Sequence, residues 1–194
     1  MNTESDKKYE AAVIGVSAGG LDALHKILSV LPADLSFPIV IVQHRADDSD
    51  TFLTEYLNDC SELAVKEAQQ GCLLKAGDVW LAPSGYHVLI EKEKVLSLSV
   101  DLPVNSSIPS IDVLFESAAD VFFDRLVGVV LTGASSDGSV GLKKIKSVGG
   151  FVVVEDPETA YASVMPRSAM QLAEVECVLP LDEIGPFLGS LSHG

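Results

Sequence analysis

Four short apolar runs, each closed by a turn of small or polar residues, dictate what this chain can fold into. They cover residues 11–16, 39–42, 126–131 and 151–154. None alternates apolar with polar residues, so each predicts a strand buried on both faces, as in a parallel sheet. Helical spacing lies between them. Leu21, Leu24, Ile27, Leu28 and Leu31 follow the first run, and Ile111, Leu114, Phe115, Ala118, Ala119 and Phe122 precede the third. Further helices are predicted over about 138–147 and near 166–173. This alternation predicts an α/β fold: an open, doubly wound, mostly parallel sheet with helices on both faces. Residues 86–90 and 95–99, joined by Glu91-Lys92-Glu93-Lys94, read as an antiparallel hairpin at one edge of the sheet.

With 194 residues, 47% of them hydrophobic, the chain suits one domain over residues 11–190 behind a tail of residues 1–10. The net charge of −15 argues against nucleic acid and anionic membrane as partners. The apolar runs are strand-sized, and the first residues lack the apolar core of a secretory signal. The expectation is a cytoplasmic protein without direct membrane insertion. Cys60, Cys72 and Cys177 have no metal-ligand spacing, so they read as free thiols, and no metal or other cofactor is expected.

In such sheets ligands bind beyond the carboxyl ends of the strands. The turns after three of the runs carry Ser17, His44 and Asp137. Ser17 stands in Gly15-Val16-Ser17-Ala18-Gly19, the G-x-S-x-G spacing of a nucleophile elbow. The same stretch has two other readings. Ser17 is a natural helix cap. Gly15-x-Ser17-x-x-Gly20 is also a degenerate dinucleotide fingerprint, although serine replaces its middle glycine and the next strand ends in Gln43-His44 rather than an acidic residue. His44 alone reads equally as a packed histidine, and Asp137 alone as a cap for the helix that follows it. Together the three supply a nucleophile, a base and an orienting carboxylate. Their chain order, Ser-His-Asp, is not that of the α/β-hydrolases, so the elbow motif does not bring that fold with it. His25, His87 and His193 are weaker bases, and Asp156 is a second-choice orienter.

The motifs in order carry a resemblance. Residues 13–20, Val42-Gln43-His44, Leu131-Thr132-Gly133-x-x-x-Asp137-Gly138, Leu81-Ala82-Pro83, residues 109–115 and Met165-Pro166-Arg167 resemble the catalytic domain of chemotaxis protein-glutamate methylesterases, the CheB family. The likeness runs from about residue 11 to residue 185. It implies that Ser17, His44 and Asp137 form a catalytic triad. It also implies hydrolysis of glutamate γ-methyl esters on the cytoplasmic domain of methyl-accepting chemoreceptors, with deamidation of receptor glutamines as a second reaction. Backbone N–H groups near Ala18 or Ala134 are the candidate oxyanion donors, and Arg45 and Arg167 a candidate positive rim. The family's usual receiver domain is not in this chain, which starts at the catalytic domain; two expectations stand, a separate or excised receiver domain as partner, or action without that switch. Ala18 and Ala134 stand where many members have Thr and Met, Arg45 where Met is common, and Ile108 where a basic residue is common. Two other readings stay open: a related serine hydrolase of another ester or amide, and a sensory module that binds without catalysis.

Overall fold

The computed structural model describes residues 8–44 and 52–192. Seven strands form one parallel sheet in the order β3-β4-β2-β1-β7-β8-β9. They are β1 (Ala11–Val16), β2 (Ile39–Gln43), β3 (Ala64–Glu67), β4 (Asp78–Leu81), β7 (Leu126–Val130), β8 (Phe151–Glu155) and β9 (Cys177–Leu179). The helices are α1 (Gly20–Leu28), α2 (Phe52–Asp59), α3 (Ile111–Phe122), α4 (Ser139–Ser147), α5 (Val164–Leu172) and α6 (Leu181–Ser190). β5 (His87–Ile90) and β6 (Leu96–Ser99) form the antiparallel hairpin. It does not extend an edge of the large sheet. It makes a separate two-stranded sheet and packs on α3, where Ser117 Oγ accepts the Ile90 N–H at 3.1 Å.

The unbroken apolar runs are explained by two cores, one on each face. Ala12, Ile14 and Val16 of β1 point into a core with α1, α2 and α6, while Ala11 and Val13 point into a core with α3, α4 and α5. β2, β7 and β8 alternate in the same way. Burying each such Leu, Ile, Val or Phe stabilises the fold by roughly 1.5–3 kcal/mol before the entropy of ordering it is subtracted. Among the described residues no helix is long and apolar enough to cross a membrane.

The order of strands sets where a ligand can sit. From β1 the chain passes to β2 on one side and later to β7 on the other. The carboxyl ends of β1 and β7 therefore frame the topological switch point, the usual crevice of an open α/β sheet. Ser17 follows β1, Thr132-Gly133 follows β7, and His44 follows β2.

Candidate active site

Ser17 and His44 stand side by side because the ladder puts them there. Val16 pairs with Gln43 as the last rung of β1 and β2, and the His44 N–H still reaches the Val16 carbonyl at 3.0 Å. On the other flank the Ser17 N–H donates to the Thr132 carbonyl at 2.9 Å. The nucleophile candidate is thus tied to both neighbouring strand ends. Its hydroxyl makes no hydrogen bond to any described residue, His44 included. Catalytic contacts in ligand-free enzymes are commonly loose and tighten around substrate.

Ser17 does not cap α1. The residue at the cap is Gly19, at φ 81°, and no side chain bonds the first turn. Gly19 supplies the left-handed turn, and it also lets Tyr161 lie against the backbone, where a Cβ would come within 2.8 Å of the tyrosine Cβ. Gly15, the first glycine of the elbow pattern, is filled over by Ile111 of α3. Gly133 is packed between Met165 and Ser17, whose Cβ a methyl there would meet at 2.9 Å. The small residues around Ser17 therefore admit side chains from elsewhere in the fold, not a pyrophosphate.

His44 meets Asp137 through Nε2, 2.8 Å from Oδ2. Its side chain is 14% exposed and that of Asp137 fully buried. Among the described residues six donors surround the Asp137 carboxylate. Oδ2 accepts from His44 and from the Ile111 N–H at 2.7 Å; Oδ1 accepts from Asn105 Nδ2, Ser110 Oγ and the N–H groups of Asp112 and Gly138, at 2.9–3.1 Å. Burial alone would raise its pKa. The bonds from His44, Asn105, Ile111 and Asp112 outweigh burial and bring it down to about 2. An ionised carboxylate can only accept, so the His44 proton lies on Nε2 and the Nδ1 lone pair is left bare.

Asp137 is also a cap, although not for the helix that follows it. Gly138 caps α4 without a side-chain bond. The carboxylate of Asp137 instead takes the first N–H groups of α3, Ile111 and Asp112, where the positive end of a 12-residue helix favours a negative charge.

Three residues to which the sequence assigns no site role complete this cluster: Asn105, and Ser110 and Asp112 of the segment 109–115. Ser110 is held by buried His87, whose Nδ1 accepts the Ser110 N–H at 3.1 Å while Nε2 faces the Leu102 carbonyl at 3.2 Å. His87 is thus a structural histidine. Asp112 is buried, which pushes its pKa up to about 6 against the lowering effect of its bond from the Gly141 N–H. Thr132 is a second organiser. Its N–H donates to buried Glu155 at 2.8 Å, its carbonyl accepts from Ser17, and its hydroxyl donates to the Ala18 carbonyl and accepts the Ala162 N–H, both at 2.8 Å. Burial raises the Glu155 pKa.

The N–H groups of Ala18 and Ala134 have no acceptor among the described residues, whereas that of Gly133 is taken by the Ala162 carbonyl at 2.9 Å. Ala18 adjoins Ser17 in the chain, Ala134 follows Gly133, which packs against Ser17, and the Gly19 N–H is likewise without an acceptor among the described residues. Arg167 is exposed and paired with Glu158 at 2.6 Å, which leaves it little net charge to offer. Arg45 and His193 lie outside the described residues. His25 contacts the Tyr56 hydroxyl at 3.1 Å, and Asp156 caps its own turn at Glu158, so neither joins the cluster. The three cysteines are free, and burial raises the pKa of Cys60 and Cys177, which opposes thiolate formation.

Comparison with known proteins shows the family and the fold. The family model described as CheB methylesterase matches residues 12–188. A putative protein-glutamate methylesterase/protein-glutamine glutaminase of Leptospira interrogans is 52% identical over 176 residues, covering 91% of each chain. One of Symbiobacterium thermophilum, named protein-glutamate methylesterase/protein-glutamine glutaminase, is 40% identical over 89% of this chain, which spans 48% of that relative. The crystal structure of the Thermotoga maritima CheB methylesterase catalytic domain superposes with a TM-score of 0.90 at 34% identity, covering 95% of this chain and 99% of that one.

Proposed function

The chain belongs to the CheB methylesterase family, and on that premise we propose that it hydrolyses glutamate γ-methyl esters of chemoreceptors through Ser17, His44 and Asp137. Ser17 Oγ attacks the ester carbonyl. His44 Nδ1 takes the hydroxyl proton, and the Asp137 carboxylate stabilises the imidazolium across the Nε2 bond. The Ala18 and Ala134 N–H groups hold the oxyanion of the tetrahedral intermediate. The imidazolium returns its proton to methanol as the C–O bond breaks. Water, deprotonated by the same nitrogen, then attacks the acyl-serine and releases glutamate and Ser17. With a glutamine side chain the same steps expel ammonia. The proposed partners are the cytoplasmic domain of methyl-accepting chemoreceptors and, as regulator, a phosphoacceptor receiver domain.

One observation carries this reading: an ionised, fully buried Asp137 bonded at 2.8 Å to the histidine next to Ser17 across the β1–β2 ladder. Two measurements test it. A fluorophosphonate should label the wild type and leave Ser17→Ala unlabelled. Methylated receptor should yield methanol with the wild type alone. Labelling without methanol release would move the substrate to another ester or amide, and absence of Ser17-dependent labelling would remove the nucleophile.

A further inference from the structure

We infer that Asn105 is a positioning residue of the proposed triad and that Asp112 decides which end of its amide faces Asp137. The inference rests on the triad reading above. Asn105 and Ser106, with φ of 52° and 61°, are the central residues of a tight turn. It is closed by reciprocal bonds between Val104 and Ser107 at 3.1 and 2.9 Å. Positive φ at both positions is the I′ pattern, which asparagine tolerates better than most residues. From this turn the Asn105 side chain reaches back to two buried carboxylates. Nδ2 donates to Asp112 Oδ2 at 2.7 Å and to Asp137 Oδ1 at 3.0 Å. Both hydrogens are used, and both acceptors are carboxylate oxygens, so only the NH₂ end of the amide fits between them.

Asp112 is the fixed post of this arrangement. It is 5% exposed, and its other oxygen accepts the Gly141 N–H of α4 at 2.7 Å. Asn105 therefore ties the triad carboxylate to an aspartate that belongs to the α3–α4 packing. It holds Oδ1 of Asp137 while Oδ2 addresses His44. A negative group at position 105 would bring its own carboxylate within hydrogen-bond distance of those of both Asp112 and Asp137. An amide at position 112 would offer an NH₂ where Asn105 now donates. The Asn105 amide would have to turn over, presenting its carbonyl oxygen to Asp137.

The experiment compares Asn105→Ala, Asn105→Asp, Asp112→Asn and the double variant Asn105→Ala/Asp112→Asn. For each, kcat and KM on an ester substrate are measured beside thermal melting and circular dichroism, with Ser17→Ala as control. Asn105→Ala removes one charge-assisted donor. Water from the open cleft that Asn105 and Asp112 line, about 450 Å³, can enter its place. The expected loss is roughly tenfold in kcat with KM unchanged. Asn105→Asp, nearly the same shape and compatible with the turn, should be worse than alanine, at roughly a hundredfold. Asp112→Asn should match Asn105→Ala, and combining the two should cost little beyond either alone, because both remove the same oriented donor.

A side chain that only fills the turn predicts the reverse order, with aspartate better than alanine. That order overturns the inference, as do unchanged kcat in folded variants or additive losses in the double variant. If an Asn105 variant does not fold, Asp112→Asn, whose Oδ1 keeps the Gly141 bond, decides the matter alone. Activity surviving in Ser17→Ala overturns the triad reading and this inference with it. Activity lost there but untouched by the position 105 and 112 variants overturns this inference only.

Discussion

His44 presents Nε2, not Nδ1, to Asp137, at 2.8 Å. Because the carboxylate is ionised and can only accept, this contact assigns the ring proton to Nε2 and leaves the Nδ1 lone pair free. The same carboxylate holds the first turn of α3. Orientation of His44 and attachment of a core helix therefore share one carboxylate.

Asp137→Asn should damage both. The amide cannot satisfy the donors around it and no longer stabilises an imidazolium. The loss expected in kcat is on the order of 10³–10⁴-fold. Stability should fall by about 2–4 kcal/mol, since buried N–H groups at the start of α3 lose a charged acceptor. Ester hydrolysis and urea unfolding of the one variant check both effects.

Stability should depend on pH through two buried carboxyls of opposite sign. Asp137 has a folded pKa lowered to about 2 from 3.8, so its contribution is present above pH about 4 and lost as pH falls through 2; it is constant from pH 5 to 7. Asp112 has a folded pKa raised to about 6, so folding binds its proton, and that contribution is lost as pH rises from about 4 through 6. Between pH 5 and 7 Asp112 should lower stability by roughly 1 kcal/mol. Buried Glu155, also raised, acts in the same direction. Urea midpoints at pH 5 and 7 should show the drop, and Asp112→Asn should show a smaller one.

Thr132→Val keeps the shape of the side chain and removes the hydroxyl shared by Ala18 and Ala162. Two backbone groups beside the nucleophile then lack a partner, at about 1–3 kcal/mol for each group left buried. Activity should fall with stability, whereas Thr132→Ser should keep most of both. Melting curves and fluorophosphonate labelling rates separate the two substitutions.

Gly133→Ala should disable the site while sparing most of the sheet. Its methyl overlaps the Met165 sulfur and crowds Ser17. Adding Met165→Ala relieves the first clash but not the second. The double variant should therefore recover stability without recovering labelling of Ser17, as melting and labelling together would show.

The layers of the fold and the members of the candidate triad were legible in the chain. Runs apolar on both faces require a sheet covered on both sides, and such a sheet brings the residues after its strands to one edge. That reasoning reached Ser17, His44 and Asp137 from the chain alone. It gave no site role to Asn105, nor to Ser110 and Asp112 within the segment 109–115, because no local pattern marks a side chain whose partner lies 25 to 32 positions further along. Its alternative for Asp137, a cap for the helix next in the chain, also missed the helix that the carboxylate does hold, α3, whose start lies 26 residues earlier. It set the hairpin at an edge of the sheet, whereas β5 and β6 form a separate two-stranded sheet on α3, with Leu96 also bonded to the backbone of Gly71 and Cys72. Local pattern fixes periodicity, and periodicity fixes which faces are buried. Which donors surround a buried carboxylate depends on how separate elements pack, and that was decided only when α3, α4 and the turn at Asn105 closed around Asp137.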